Sequence, residues 1–387
     1  MSKPNVIIYT DYLLPRSETF ILYPAEAMTR YTPQYLGSRR VGGLDLPDDR
    51  WLVANGDGFS SRILQNIQIR LLGHNGVVRL LSKIKQLNPQ ILQAHHGHAA
   101  VNILPLARKL DIPFITFFHG YDATISHEVA MQTYYFRNYL DKRPHLYKQA
   151  DIILARSEFL KQRLLEIGCP PEKLRVHYIG TDTRNYYEVP LENREKVVFF
   201  AGRFVEKKGI EYLVEAMYNV QQRHPDYKLV LAGKGVEQDR LLALATNRLS
   251  NVEYIGWLSY EDLHKRMSQV RIFCAPSVTA GTQDSESFGN VFIEANLQGT
   301  PVVSFEHGGI PEAVADGETG LLAPERDIEA LTQHLLRLIE DDELWRKMSH
   351  QATERVLNQF DRWKQTAKLE SLYDQLIEER RNKKATQ

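Results

Sequence analysis

Cysteine is nearly absent from these 387 residues. Cys169 and Cys274 stand far apart and cannot form a disulfide framework, so a reducing cytoplasm is the simplest setting. No apolar run approaches the length of a membrane span. MSKPNVIIYTD passes straight into a strand-like VIIY, without the apolar core and cleavage site of a leader. Net charge is absent too, with 48 Lys+Arg against 48 Asp+Glu. That balance hides an asymmetry: residues 1–180 carry 22 basic against 15 acidic side chains, and the remainder is correspondingly acidic. A basic half suits something anionic, a phosphate-bearing substrate or a membrane surface, and an accident of surface composition accounts for it equally well. Several catalytic signatures are missing: there is no Walker loop, GxSxG, CxxC or HExxH. The GKG turn at 233–235 lacks the third glycine of a dinucleotide fingerprint, which disfavours a nicotinamide enzyme.

What is present is a steady alternation. Apolar runs read as strands at VIIY (6–9), ILQA (91–94), FITFF (114–118), DIILA (151–155) and RVHYI (175–179), then VVFFAG (197–202), KLVLAG (228–233), VEYIG (252–256), RIFCAPS (271–277) and PVVSF (301–305). Between them lie helical patterns such as AAVNILPLARKL, SEFLKQRLLEIG, GIEYLVEAMYNVQQRH and SYEDLHKRM. Short buried strands alternating with amphipathic helices imply an α/β protein with parallel sheets covered on both faces. The chain is too long for one core, and two sets of strands imply two doubly wound domains. The polar stretch GTDTRNYYEVPLENREK (180–196) is the expected joint. Near the end, Trp363, Leu369, Leu372, Tyr373, Leu376 and Ile377 recur at helical spacing.

Ligands of such sheets sit beyond the carboxyl ends of the strands, so the loops there are the ones to inspect. In DSESFGNVFIEANLQGTPVV, Glu286 and Glu294 flank the turn SFGN. A helix opening near Gly289 and stopping at Gly299 would offer backbone N–H groups around Phe288 to Asn290 to an anion. The two carboxylates would accept hydroxyl pairs on either side of it. The plainer reading, acids that complement a helix dipole, stands beside this one. In GRFVEKKG (202–209), Arg203 and Lys208 are cations placed to neutralise a pyrophosphate, and a solvated basic turn is the alternative. Lys207 could take the role of Lys208. The histidines His95, His96 and His98 crowd one loop, and His119 ends FITFFH with Asp122 behind it. Without partner cysteines or a metalloprotease spacing, a zinc site is disfavoured. His119 reads as a polar substrate contact, with a buried, satisfied histidine as the competing reading.

Taken together, GRFVEKKG, ESFGNVFIE and PVVSFEHGGIPEAVADGETGLL resemble glycosyltransferase family 4, and SETFI, FHGYD and SEFLKQRL fall in family order. SETFI, FHGYDAT and SVTA with DSES look most like bacterial members that build exopolysaccharides and lipid-linked oligosaccharides. The resemblance implies the GT-B architecture: two Rossmann-like domains facing a cleft, with a C-terminal helix crossing back to the first domain. The domains would be 1–185 for the acceptor, 186–362 for the nucleotide-sugar donor, and 363–387 for the crossover helix and tail. It implies retention at the anomeric carbon, no cofactor and no metal, and no nucleic-acid partner. Arg203 and Lys208 would hold the donor diphosphate and Glu286 the transferred sugar. Ser287, Phe288, Gly289 and Asn290 would line sugar and phosphates, Glu294 would bind the ribose, and His119 would approach the reacting sugar. Catalytic roles would fall to His119, Arg203, Lys208 and Glu286. Thr19, His95 and Asp122 would face the acceptor, a saccharide or lipid-linked saccharide. The implied enzyme is a hexosyltransferase with a UDP-sugar favoured over a GDP-sugar, acting in the cytoplasm. Arg62, Arg70, Arg79, Lys83 and Lys85 among Leu and Ile would also suit the anionic inner face of the membrane, and an ordinary amphipathic packing helix is the equal alternative. A sugar-nucleotide epimerase, a phosphorylase and a silent nucleotide-sugar-binding protein share the fold. The family's glycine-rich first loop is SETF here, and the usual asparagine is replaced in YIGTD (178–182), which weakens a role for Asp182.

Overall fold

In β1 (Asn5–Leu13), alternate side chains face opposite ways, so Val6 and Ile8 enter one core cluster while Ile7 and Tyr9 enter another. The same split in β5 (Phe114–Phe118) sends Phe114 and Phe118 one way and Ile115 and Phe117 the other. A strand apolar on both sides must be covered on both sides, which is the condition for a parallel sheet between helical layers. The computed structural model describes residues 3–15, 18–47, 49–55, 63, 67, 68 and 76–386. It divides into two compact units, Met1–Ile179 with Arg362–Gln387, and Gly180–Asp361.

The first unit holds a parallel sheet of seven strands, ordered β3-β2-β1-β4-β5-β6-β7. Besides β1 and β5 these are β2 (Thr32–Arg40), β3 (Trp51–Val53), β4 (Pro89–His95), β6 (Ile152–Ala155) and β7 (Leu174–Val176). Neither β2 nor β3 was expected from the sequence. TPQYLGSRR has no continuous apolar run and carries Pro33 and Gly37, and WLV is three residues long. The run expected at 175–179 pairs only as Leu174–Val176. The helix Gly97–Leu110 matches its expected pattern, and Ser157 caps Glu158–Glu166 by accepting the Leu160 N–H at 3.0 Å.

The terminal helix, Arg362–Ala385, packs within this unit. Leu369, Tyr373 and Leu376, at i, i+4 and i+7, join the cluster containing Val6, Ile8, Ile115 and Phe117. Glu370 on the same helix is 1% exposed and accepts the backbone N–H groups of Thr29 at 2.8 Å, Arg30 at 2.6 Å and Tyr31 at 3.3 Å. A turn with three N–H groups aimed at one carboxylate loses all three when that carboxylate goes. Glu370→Ala is expected to destabilise the protein by about 3 kcal/mol in a denaturant titration. A loss under about 0.5 kcal/mol, the range of ordinary surface changes, would mean the turn does not depend on the helix.

The second unit holds six parallel strands in the order β10-β9-β8-β11-β12-β13. They are β8 (Glu195–Ala201), β9 (Lys228–Ala232), β10 (Val252–Gly256), β11 (Val270–Cys274), β12 (Val302–Glu306) and β13 (Gly320–Pro324). The polar residues that follow Gly180 are stitched into this unit. The Tyr187 N–H donates to Gln298 Oε1 at 2.9 Å, and Arg194 donates to the carbonyls of Val189, Val270 and Gln298 at 3.0, 3.1 and 2.7 Å. Thr181 and Asp361 form a bridge, so the chain enters and leaves the unit side by side.

Among the described residues no helix is long and apolar enough to cross a membrane. Of the basic residues considered for lipid contact, Arg62 and Arg70 lie outside the described residues. Lys83 and Lys85 lie on the short helix Leu81–Gln86, and Arg79 lies in the turn before it.

Candidate active site

Strand order in the second unit reverses between β8 and β11, and loops leaving the carboxyl ends of two such neighbours diverge and leave room for a ligand. After β8 comes GRFVEKKG, with a 3₁₀ turn at Glu206–Lys208 and a left-handed Gly209, φ +63°, opening the helix Ile210–Arg223. A Cβ on Gly209 would stand 1.9 Å from the Pro276 carbonyl oxygen, so only glycine lets this turn lie against the loop after β11. The Val278 N–H donates to the Lys207 carbonyl at 2.8 Å and locks the two loops together.

The two lysines are sent to different carboxylates. Lys207 pairs with Asp284 at 3.0 Å and also reaches the Ser285 carbonyl at 3.4 Å, which makes it a strut between loops. Lys208 pairs with Glu286, and these side chains are only 12% and 10% exposed. Burial pushes the Lys208 pKa down, and the Glu286 carboxylate opposes the shift. One ammonium hydrogen serves Glu286, and two remain for other acceptors. Arg203 is exposed on the same turn. The direct Lys208–Glu286 contact was not expected from the sequence, which assigned the two residues to different parts of a ligand.

Glu286 is itself held by residues that sequence reasoning did not single out. Its backbone N–H donates to His307 Nε2 at 3.2 Å, and His307 Nδ1 donates to Glu325 at 3.0 Å. Glu325 also accepts the Thr279 N–H at 2.8 Å. The Gly309 N–H donates to the Glu286 carbonyl at 2.8 Å. A Cβ on Gly308 would lie 2.2 Å from the Glu286 oxygen, and one on Gly309 would lie 2.1 Å from the Ser287 oxygen. The signal available was the sequence EHGG after β12, where paired glycines mark a close backbone approach. Ser287 and Phe288 are buried, and Gly289 takes φ +78° ahead of the helix Asn290–Leu297, on which Glu294 is half-buried. Thus Lys208 and Glu286 are in contact, Ser287 to Asn290 continue directly from Glu286, and Glu294 follows on the helix.

In the first unit His95, His119 and Asp122 also come together. Asp122 is 2% exposed, and its carboxylate accepts the N–H groups of Gly97 at 2.8 Å, His119 at 3.2 Å and Gly120 at 3.0 Å. It therefore clamps the loops after β4 and β5 to each other. His95 Nδ1 and His119 Nε2 are 2.9 Å apart, and the rings stack 5.1 Å apart at 16°. Burial holds both histidines well below the usual imidazole range, and His96 adds to the effect. Burial also works against charge on His96, but the hydrogen bond with Glu18 and the Asp122 and Asp11 carboxylates outweigh it and raise its pKa. Thr19 opens the helix Thr19–Glu26, and Glu18 before it lies 3.5 Å from His96. On β1, Asp11 accepts from Tyr9 at 2.5 Å, from Asn102 at 2.8 Å and from Tyr135. Among the described residues no group of three His, Cys, Asp or Glu side chains is arranged to hold a metal ion.

Comparison with known proteins gives two family matches. Residues 183–355 match the model for glycosyl transferases group 1, and residues 40–185 match that for glycosyltransferase family 4. The amylovoran biosynthesis glycosyltransferase AmsK of Erwinia amylovora is 27% identical over 87% of this chain and 83% of its own length. The putative colanic acid biosynthesis glycosyltransferase WcaL of Salmonella typhimurium is 30% identical over 72% of this chain and 69% of its own. Among solved structures, sucrose-phosphate synthase of Thermosynechococcus elongatus superposes with a TM-score of 0.78 at 20% identity, covering 97% of this chain and 99% of that one. HepE of Anabaena, solved with UDP and glucose, superposes with a TM-score of 0.74 at 20% identity over 95% of this chain and 99% of its own. At that identity the likeness is one of fold.

Proposed function

The chain belongs to the family 4 glycosyltransferases, and we propose that it moves a hexose from a UDP-sugar to a hydroxyl of a saccharide or lipid-linked saccharide in cell-surface polysaccharide synthesis, with retention and without a metal. The observation that carries this reading is the largely buried Lys208–Glu286 contact at the switch between β8 and β11. It places a cation and a hydroxyl-binding carboxylate side by side, where a sugar diphosphate needs both.

As the bond from the sugar's anomeric carbon to the leaving phosphate oxygen breaks, positive charge develops on the ring and negative charge on the phosphate. Lys208, with its two remaining N–H donors, and the exposed Arg203 stabilise the phosphate. Glu286 binds hydroxyls of the transferred sugar, backbone groups from Ser287 to Asn290 line sugar and phosphates, and Glu294 takes the ribose. The acceptor oxygen bonds to the anomeric carbon on the face the phosphate leaves, and its proton passes to that phosphate. Neither glutamate need form a covalent bond. His119 approaches the reacting sugar, and Thr19, His95 and Asp122 belong to the acceptor side. The UDP preference is supported by the UDP complex of HepE. Action at the cytoplasmic face of an anionic membrane is supported by the basic first half.

UDP, GDP and ADP tested separately by thermal melting discriminate the donor. UDP at about 100 times its Kd is expected to add about 2.7 kcal/mol of stability to the wild type, and Arg203→Ala is expected to lose much of that gain. Stabilisation by GDP alone would reassign the base. No stabilisation by any of the three would remove the donor site from the second unit.

A further inference from the structure

The loops after β12 and β13 meet one residue beyond their paired strands. Glu306 and Pro324 form the last rung of that ladder, so the next residues, His307 and Glu325, stand side by side. His307 Nδ1 lies 3.0 Å from Glu325 Oε2, and His307 Nε2 lies 3.2 Å from the backbone nitrogen of Glu286. Glu325 Oε1 accepts the Thr279 N–H at 2.8 Å, and Arg326 donates to the Thr279 carbonyl at 2.8 Å. The loops after β11, β12 and β13 are thereby tied together behind Glu286. We infer that His307 is a positioning residue for the donor sugar: in the tautomer with Nδ1–H and a bare Nε2 it fixes Glu286 by its backbone and leaves the carboxylate to Lys208 and the sugar. This rests on the reading of Glu286 as the sugar contact.

The tautomer follows from both ends of the ring. A backbone N–H only donates, so the nitrogen facing Glu286 must carry a lone pair. An ionised carboxylate only accepts, so the nitrogen facing Glu325 must carry the proton. Burial acts to raise the Glu325 carboxyl pKa, but the Thr279 N–H and His307 outweigh it and hold the group below its ordinary value, which keeps this acceptor charged. His307 is 6% exposed, and each of its ring nitrogens has its partner. The opposite tautomer would set N–H against N–H at Glu286 and a lone pair against a carboxylate at Glu325, leaving both ends unsatisfied. The Gly309 N–H holds the Glu286 carbonyl at 2.8 Å, so the turn that starts at His307 holds both backbone polar groups of Glu286.

Histidine-selective ¹⁵N NMR on the full chain reads the tautomer, with the His307 signals assigned by their loss in His307→Gln. The wild type is expected to show a protonated Nδ1 and a bare Nε2. A proton on Nε2, with or without one on Nδ1, would overturn the proposal. Two variants then separate the two ends of the ring. His307→Asn places an amide near the Nδ1 position and serves Glu325 alone, whereas His307→Gln reaches the Nε2 position and offers Glu286 a carbonyl. In His307→Asn the Glu286 amide hydrogen is expected to exchange with solvent faster than in the wild type. There kcat/KM for the UDP-hexose that the wild type uses is expected to fall roughly 10- to 100-fold. UDP, which lacks the transferred sugar, is expected to bind almost as before. His307→Gln is expected to recover most of the loss. Unchanged exchange at Glu286 in His307→Asn would sink the anchor, and faster exchange with unchanged kcat/KM would sink its role toward the sugar. Equal losses in the two variants would reduce His307 to packing, and UDP affinity falling as far as kcat/KM would make it a support of the whole site; either overturns the proposal. Tautomer and exchange are read without substrate, so a chain that behaves as expected in both but transfers no hexose from a UDP-sugar would count against the proposed function alone.

Discussion

Lys208→Ala is expected to transfer sugar roughly 100- to 1,000-fold more slowly than the wild type, the usual cost of removing one aimed donor from a developing negative charge. The loss should fall on kcat more than on donor KM, because the charge on the leaving phosphate grows only as the bond breaks. The same substitution also takes the ammonium from beside a carboxylate that is 10% exposed. Removing one partner of a buried pair typically costs about 3–5 kcal/mol, so activity and stability would fall together and prove little. The double variant Lys208→Met with Glu286→Gln separates them. It replaces both charges with groups of similar size and should recover most of the stability while remaining inactive. Rates come from release of the nucleoside diphosphate from the preferred nucleotide sugar in the presence of acceptor, and stability from urea unfolding. A Lys208→Ala enzyme with wild-type kcat would remove Lys208 from the leaving-group role. A double variant as unstable as the single one would show that the pair is not what holds this loop.

Gly308→Ala is expected to lower kcat/KM for the donor by roughly 100-fold, the scale that a misplacement of about 1 Å carries. The added Cβ would meet the Glu286 carbonyl oxygen at 2.2 Å, and Gly308 already has φ +57°, where a side chain is strained. The collision is with backbone, not with a flexible side chain, so the loop carrying Glu286 and Ser287 has to move. Gly317→Ala is the control. Its φ is +75°, and a Cβ there meets nothing within 4 Å, so it bears the strain without the collision. Both variants should melt lower than the wild type, but only Gly308→Ala should lose activity. Equal activity losses would assign the effect to backbone strain, and a fully active Gly308→Ala would mean that the turn does not set the position of Glu286.

Much of this arrangement was legible in the chain. The continuous apolar runs that became β1, β4 to β6 and β8 to β12 announced parallel strands, because only a doubly covered strand tolerates apolar residues on both faces. The helical patterns SEFLKQRLLEIG and SYEDLHKRM became helices capped by Ser157 and Ser259, each through a local device, a side-chain oxygen accepting an N–H three residues on. β13 was passed over because GLLAP is short and interrupted, and it lies at the sheet edge where one neighbour is enough. The candidate site was legible as types and order: two cations after β8, then a carboxylate, a turn and a second carboxylate. Which lysine meets which acid was not. Lys207 and Lys208 are adjacent in sequence, and only the 3₁₀ turn at 206–208, pressed against the loop after β11, sends one to Asp284 and the other to Glu286.

The sequence by itself therefore determined what is local. Periodicity set most of the strands and helices, glycines set the tight turns, and the order of charged residues set the kind of ligand proposed, since each depends on neighbours a few positions away. Tertiary structure decided what depends on contacts distant along the chain. The His307–Glu325 support behind Glu286 joins the ends of separate strands, and Tyr373 reaches Gln93 across 280 positions. Hydrogen bonds are directional and satisfied only at about 3 Å, so such partners acquire their roles when the fold brings them within reach.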